Sequence, residues 1–160
     1  MTSPNHNARR LGQPDMVVIH YTGMKTAAAA RARLCDPGAE VSAHWLIDLD
    51  GGSEALVPED RRAWHAGVSS WEGESDVNSR SIGIELVNPG VEHGYHPFPE
   101  PQMAALERLL AGIMARWSIE PRNVVGHEDV APGRKIDPGE KFDWARLARR
   151  GLSARTGVRV

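Results

Sequence analysis

The sequence has little cysteine, no excess of basic side chains and no long apolar run. Its single cysteine, Cys35, has no partner for an internal disulfide and no second thiol at metal-binding spacing. The 19 Lys and Arg residues are balanced by 21 Asp and Glu residues, so no overall positive field is available to hold a nucleic acid. The longest apolar runs are far below the roughly 20 residues of a membrane-spanning helix. These shortages predict a chain with no nucleic-acid partner and no membrane span.

Histidine, in contrast, is abundant, with seven spread among 160 residues. Metal binding and acid–base chemistry are the usual uses of histidine in functional sites. With 41% hydrophobic residues and no visible linker or repeat, the chain is predicted to form one domain over residues 16–150. A polar arm at 1–15 precedes it and a tail at 151–160 follows. No signal peptide or lipidation cysteine is visible near the start, which favours a cytoplasmic location.

The hydrophobic pattern predicts an α/β fold with a central mixed β-sheet flanked by helices. The β-branched run at 16–21 is typical of a buried central strand, and apolar residues three and four positions apart between 101 and 117 are typical of a helix packed on a core. Further strands are predicted at 41–48, 54–57, 81–87 and 124–125, further helices at 25–34 and 142–150, and loops at 69–80 and 128–139. Ligands of such sheets bind at the strand ends.

Three potential metal ligands lie where predicted strands end. His20 is near the end of the first strand, His127 follows the strand at 124–125, and Asp137 is in the next loop. Two imidazoles and a carboxylate form a ligand set that catalytic zinc accepts, with one position open for water. Simpler interpretations stay open, because His20 could be a hydrogen-bonded core residue and Asp137 could stabilise a turn. The other histidines compete as ligands: His6, His44, His65, His93 and His96.

Two further residues indicate a catalytic role for the site. Glu85 places a carboxylate in an otherwise apolar strand, where it needs either an ion-pair partner or a chemical role. Lys135 lies two residues before Asp137, so in an extended loop both side chains point to the same side. Its ammonium could stabilise the oxyanion that forms when water adds to a carbonyl, although a solvated surface lysine has the same sequence signature.

Five short blocks of the sequence carry a more specific signal. They are Val-Ile-His-Tyr-Thr at 18–22, Val-Ser-Ala-His-Trp-Leu-Ile at 41–47, Val-Pro-Glu-Asp-Arg-Arg-Ala-Trp-His-Ala-Gly at 57–67, Asn-Ser-Arg-Ser-Ile-Gly-Ile-Glu-Leu-Val-Asn at 78–88, and Val-Gly-His-Glu-Asp-Val-Ala-Pro-Gly-Arg-Lys-Ile-Asp-Pro-Gly at 125–139. In order and spacing they resemble the zinc-dependent N-acetylmuramoyl-L-alanine amidases, a family that includes phage amidase lysozymes and animal peptidoglycan recognition proteins. The resemblance extends over roughly residues 16–150, which would form the amidase domain.

The resemblance implies a set of site residues. In the family, zinc is held by residues that correspond to His20, His127 and Asp137, and catalysis uses those that correspond to Glu85 and Lys135. The zinc site is therefore expected at the ends of the strands.

The remaining matched positions imply a substrate groove and a packing residue. His65 and Asn78 correspond to positions that line the groove of the family, whereas a packing role is favoured for His44. His93 and His96 lie in an insertion rich in Gly and Pro and are expected at the surface.

The implied reaction is hydrolysis of the amide between N-acetylmuramic acid and L-alanine in peptidoglycan fragments (muropeptides), during cell-wall turnover or recycling. Two alternatives stay open: a muropeptide-binding module that does not cut, and a different metal-dependent amide hydrolase. The missing leader favours the cytoplasmic subtype that acts on anhydro-muropeptides, whereas residues 94–103 look more like the exported subtype of broader specificity. We expect a monomer that acts on soluble fragments.

Overall fold

A computed structural model describes residues 1–155 and shows a mixed five-stranded sheet covered by helices. The strands are β1 His6–Ala8, β2 Met16–Tyr21, β3 Trp45–Ile47, β4 Ser53–Ala55, β5 Arg61–Ala63, β6 Ser81–Leu86 and β7 Val124–Gly126. The helices are α1 Ala27–Leu34, α2 Val77–Arg80, α3 Glu100–Trp117, α4 His127–Val130 and α5 Trp144–Arg149, with short 3₁₀ helices at Pro37–Ala39 and Pro121–Asn123. The main sheet has the order β4-β3-β6-β2-β7, and β1 pairs with β5 in a separate two-stranded sheet. The predicted α/β architecture is therefore confirmed.

Strand β2 is an interior strand of the sheet, paired on both sides. It runs parallel to β6 and to β7, while only β4, at one edge, is antiparallel to its neighbour. Met16, Val17, Val18 and Ile19 are fully buried, as expected of a parallel strand covered on both faces.

Helix α3 covers one face of the sheet with an apolar stripe at helical spacing. Met103, Leu106, Leu110 and Ile113 are buried there in one cluster with residues of β2 and β6. A proline in the first turn is tolerated because its missing N–H would have no partner in the helix. Among residues 1–155, no helix combines the length and apolar character needed to cross a membrane.

Several predicted boundaries were wrong. The strand predicted at 41–48 is regular only over Trp45–Ile47, because the backbone before it bonds to other segments, Ser42 N–H to Trp64 O among them. The loop predicted at 69–80 contains the four-residue helix α2, and the loop predicted at 128–139 begins inside the four-residue helix α4. Such short helices depend on caps and not on periodicity: the Asp76 carboxylate accepts the N–H of Ser79.

The polar arm predicted at 1–15 is packed against the domain. Ser3 and Asn5 are buried; Ser3 donates to the carbonyl of the last residue of α1, Asn5 donates to carbonyls that follow the helix, and β1 pairs with β5. The Arg9 guanidinium donates to the carbonyls of Glu59, Asn78 and Ser81, among others. At the other end, residues 156–160 of the predicted tail lie outside the described residues.

His44 occupies a fully buried position between the two sheets. Its Nδ1 accepts the backbone N–H of Gly83 at 2.9 Å, and its Nε2 lies 2.8 Å from Arg61 O, to which it donates. Burial, and secondarily the nearby Arg9 charge, lower the pKa of His44 to about 3, against the pull of the Arg61 carbonyl. His44 therefore serves packing as a neutral imidazole.

Replacing His44 with Gln should flatten the acid dependence of folding stability. Between the folded pKa of about 3 and the unfolded value of 6.5, the unfolded state holds one more proton at His44, so stability falls as the pH is lowered. The loss approaches about 1 kcal/mol per pH unit within that window. Urea unfolding at several pH values measures the slope. Equal slopes for His44→Gln and the parent protein would contradict a buried neutral histidine.

Candidate metal centre

The register of the sheet brings the three predicted ligands together at one end of its parallel strands. His20 is the fifth residue of β2. Gly126, the last residue of β7, pairs with Ile19, so His127 follows at the level of His20. Asp137 returns from the next loop, whose backbone is fixed to α4 by the Glu128 N–H bonded to Asp137 O at 3.0 Å.

The ligand atoms of these residues converge within a small buried space. His20 Nδ1 lies 3.0 Å from His127 Nδ1, and Asp137 Oδ2 lies 3.2 and 3.3 Å from the two nitrogens. The three residues are 2, 5 and 6% exposed, respectively. His127 Nε2 donates to Ala66 O at 2.9 Å, which leaves the Nδ1 lone pair directed at the cluster. Lone pairs and a carboxylate that converge in this way fit a bound cation, so the three residues form a possible metal site.

Electrostatics keep His20 in a metal-binding form. Burial lowers the pKa of His20 to about 4, and the neighbouring His127 lowers it further, against the effect of Asp137. The imidazole is therefore neutral near pH 7, as a metal ligand must be.

The loop that carries Asp137 is held from two sides. The Tyr95 hydroxyl donates to Pro138 O at 2.8 Å and accepts the backbone N–H of Lys141 at the same distance. A Cβ on Gly126 would lie 2.8 Å from Pro138 Cδ, so only glycine allows the loop to close on β7. The Asp137 carboxylate thus points at the histidines. The simpler interpretation, in which Asp137 stabilises its own turn, does not describe this geometry.

Glu85 lies beside the cluster because β6 pairs with β2 in register, with Glu85 opposite His20. Its Oε2 is buried and has no hydrogen-bond partner among residues 1–155. Burial, then the Asp137 carboxylate, raise the pKa of Glu85 well above its usual value, while Lys135 acts in the opposite direction. The simpler interpretation was that Glu85 forms a structural ion pair, but the described structure gives its carboxylate no such partner. The carboxylate is therefore available for proton transfer.

A cavity of about 400 Å³ opens over the cluster. Glu85 and Lys135 line it together with the three ligands, and so do Arg33, Arg134 and Trp64. This volume is in the range of small-molecule sites. Lys135 itself is exposed, and the structure gives its ammonium no ion-pair partner within residues 1–155.

The residues predicted to line a substrate groove are placed differently. His65 reaches the inner wall of the cavity, with its Nδ1 2.9 Å from His20 Nε2. Asn78 lies behind it, where its Oδ1 accepts the backbone N–H groups of His65 and Ala66 at 3.1 and 2.9 Å. His93 is exposed and His96 is half-buried, bonded to the neighbouring Pro97 carbonyl.

Sequence reasoning missed some of the residues that support the site. Arg134 donates to the carbonyls of Ala66 and Val68 and so braces the segment on which His127 depends. Its place in the Gly-Arg-Lys block was the only sequence signal. Ser81 likewise lies in one of the matched blocks, at 78–88, but nothing there indicates its bond to His65, and Tyr95 gave no signal because its partner lies 43 residues away in the chain.

Comparison with known proteins places this site in a family. The family model described as N-acetylmuramoyl-L-alanine amidase matches residues 10–140. The chain is 42% identical over 151 residues to N-acetylmuramoyl-L-alanine amidase AmiD of Escherichia coli, a match that covers 87% of this chain and 54% of AmiD. It is 34% identical over 163 residues to 1,6-anhydro-N-acetylmuramyl-L-alanine amidase AmpD of Enterobacter cloacae, covering 91% and 85% of the two chains. The chain thus spans about half the length of AmiD.

Solved structures agree with the sequence comparisons. A selenomethionine derivative of AmpD superimposes with a TM-score of 0.83 at 34% identity, covering 96% of this chain and 93% of that one. E. coli AmiD in complex with the substrate anhydro-N-acetylmuramic acid-L-Ala-D-gamma-Glu-L-Lys superimposes with a TM-score of 0.81 at 40% identity, covering 91% of this chain and 61% of that one. By family match, identity and fold, the chain belongs to the N-acetylmuramoyl-L-alanine amidase family.

Proposed function

We propose that this protein hydrolyses the amide between N-acetylmuramic acid and L-alanine in muropeptides, including the anhydro type, during turnover or recycling of the cell wall. The observation that carries the proposal is the Glu85 carboxylate, whose buried Oε2 has no hydrogen-bond partner among residues 1–155, beside the possible metal site His20, His127 and Asp137, in one cavity. The AmiD complex contains an anhydro-muramyl peptide, which supports this substrate class. A cytoplasmic location and a monomeric state stay predictions.

We propose Zn²⁺ as the metal. Two imidazole nitrogens and one carboxylate oxygen form a ligand set used by catalytic zinc, with one coordination position left open. When bound, zinc supplies Lewis acidity toward the scissile carbonyl and toward water.

Glu85 is placed to move the proton in this reaction. Its carboxylate takes a proton from the attacking water as the water oxygen bonds to the carbonyl carbon, and delivers it to the L-alanine nitrogen as the C–N bond breaks. A raised pKa suits a group that must first accept and then donate.

Lys135 is placed to stabilise charge. Lys135 lines the same cavity as Glu85, and its ammonium stabilises the oxyanion that forms on the former carbonyl oxygen.

A binding module without activity is the alternative. Such a module requires neither a complete ligand set nor a buried carboxylate that lacks a protein partner. The site contains both, which favours the enzyme.

Replacing His20 with Ala should remove both metal and activity. The variant loses one of three protein ligands, and the remaining two hold zinc far more weakly. Metal content after dialysis and hydrolysis of a purified muropeptide are the two measurements. The exposed His93, changed to Ala, serves as the control and should retain both. Full zinc occupancy in the His20→Ala protein would show that the metal site has been misassigned.

Replacing Glu85 with Gln should separate metal binding from catalysis. The amide retains the shape of the side chain but cannot accept the proton, so kcat should fall by a factor on the order of 10² or more. Zinc content should stay equal to that of the parent protein. The matched control is Glu120→Gln, at an exposed position. Near-normal turnover by Glu85→Gln would eliminate Glu85 as the general base.

A further inference from the structure

The outer nitrogen of His20, which faces away from the ligand cluster, begins a chain of hydrogen bonds. His20 Nε2 lies 2.9 Å from His65 Nδ1, with the two rings nearly perpendicular. His65 Nε2 lies 2.9 Å from Ser81 Oγ, and Ser81 Oγ lies 2.6 Å from Val77 O. Two side chains, those of His65 and Ser81, thus connect a candidate metal ligand to a backbone carbonyl of α2.

The carbonyl at the end of this chain fixes the position of every proton along it. Val77 O can only accept, so the single hydroxyl proton of Ser81 is donated to it. Ser81 Oγ must then accept from His65, which places the His65 proton on Nε2 and leaves Nδ1 as an acceptor. His65 Nδ1 therefore accepts from His20 Nε2–H, and the Nδ1 lone pair of His20 faces the cluster.

We propose that His65 and Ser81 are positioning residues that hold His20 in its metal-binding tautomer. Neither side chain needs to touch substrate for this role. This differs from the substrate-groove role implied for His65 by the family resemblance. The proposal rests on the proposed function only for the identity of the metal, Zn²⁺.

The residues around His65 hold its imidazole ring in one position. A Cβ on Gly83 would lie 2.5 Å from His65 Cγ, so the ring occupies space that only glycine leaves free on β6. The Asn78 amide oxygen accepts the backbone N–H groups of both His65 and Ala66. Ser81, at the far end of the chain, is fully buried.

The second histidine ligand depends on the same segment by a shorter route. His127 Nε2 donates directly to Ala66 O, next to His65 in the chain. Residues 65 and 66 therefore orient both ligands, one through a side chain and one through a carbonyl. Asn78 holds this segment in place, which gives it a role although it does not line the cavity.

Zinc affinity of Ser81→Ala, measured by competition with a chromophoric chelator, tests the proposal. Loss of the hydroxyl leaves His65 Nε2–H without its acceptor, so zinc affinity should fall, by up to the about 10- to 100-fold that follows the loss of a ligand's direct outer partner. Ser79→Ala is the matched control. Ser79 is equally buried, but its hydroxyl donates to Asp76, which is not part of the hydrogen-bond chain from His20 to Val77. The control should keep the parent affinity. Equal affinities for Ser81→Ala and Ser79→Ala would overturn the proposal.

Two variants of His65 provide a rescue test. The His65→Leu substitution removes the acceptor for His20 Nε2–H, so zinc affinity should fall at least as far as in Ser81→Ala. The His65→Gln substitution offers a carbonyl oxygen as acceptor and an N–H as donor, so it should recover part of this loss of affinity. A Gln variant no better than the Leu variant would count against a role through hydrogen bonding.

Long-range ¹H–¹⁵N NMR of the histidine rings in the zinc-loaded parent protein tests the tautomers directly and needs no variant to fold. His20, His65 and His127 should all carry their proton on Nε2. A proton on His65 Nδ1 would overturn the proposal even if muropeptides are cleaved. Conversely, correct tautomers with no cleavage would leave the positioning role intact and contradict only the proposed function.

Discussion

The convergence of two imidazole nitrogens and a carboxylate oxygen in a buried space is the interaction on which the rest of this structure depends. His20, His127 and Asp137 come from a strand, a helix start and a loop, and their ligand atoms lie within 3.3 Å of one another. Such an arrangement is unfavourable unless a cation occupies it, because each lone pair is removed from water without receiving a proton. The fold therefore has to hold the three groups together.

Parallel register supplies most of that constraint. The pairing of β2 with β6 fixes His20 beside Glu85, and the pairing of β2 with β7 aligns the start of α4 with both. A shift of one residue would turn the side chains of a strand to its other face, so this register is what keeps His20 and Glu85 on the side of the sheet that lines the cavity. The reactive groups are thus positioned by the same strand pairing that forms the sheet.

A second set of contacts fixes the orientation of the ligands within that frame. Asn78 holds residues 65 and 66 by their backbone, Tyr95 holds the loop that carries Asp137, and Arg134 braces the carbonyl that receives His127. The N-terminal arm adds to this support, since Arg9 donates to carbonyls of the segment that contains Asn78 and Ser81.

Much of the fold and the reactive groups could be predicted from the sequence, because local patterns encode them. The apolar run of β2 and the stripe of α3 are legible as periodicity, and Glu85 is conspicuous as a carboxylate in an apolar strand. The supporting contacts could not be predicted, because Ser3, Arg9 and Tyr95 act through partners more than 30 residues away. The role of Ser81 is visible only once His65, Gly83 and the Val77 carbonyl are seen together.

The most direct test of the account is mass spectrometry of the products that the zinc-loaded protein forms from an anhydro-muropeptide and a reducing-end muropeptide offered together. The account predicts that at least the anhydro substrate is split into an intact sugar and a stem peptide with a free L-alanine amino group. It also predicts that Glu85→Gln forms these products far more slowly at the same zinc content. Cleavage at any other bond, or no cleavage of either substrate by protein with full zinc occupancy, would contradict it.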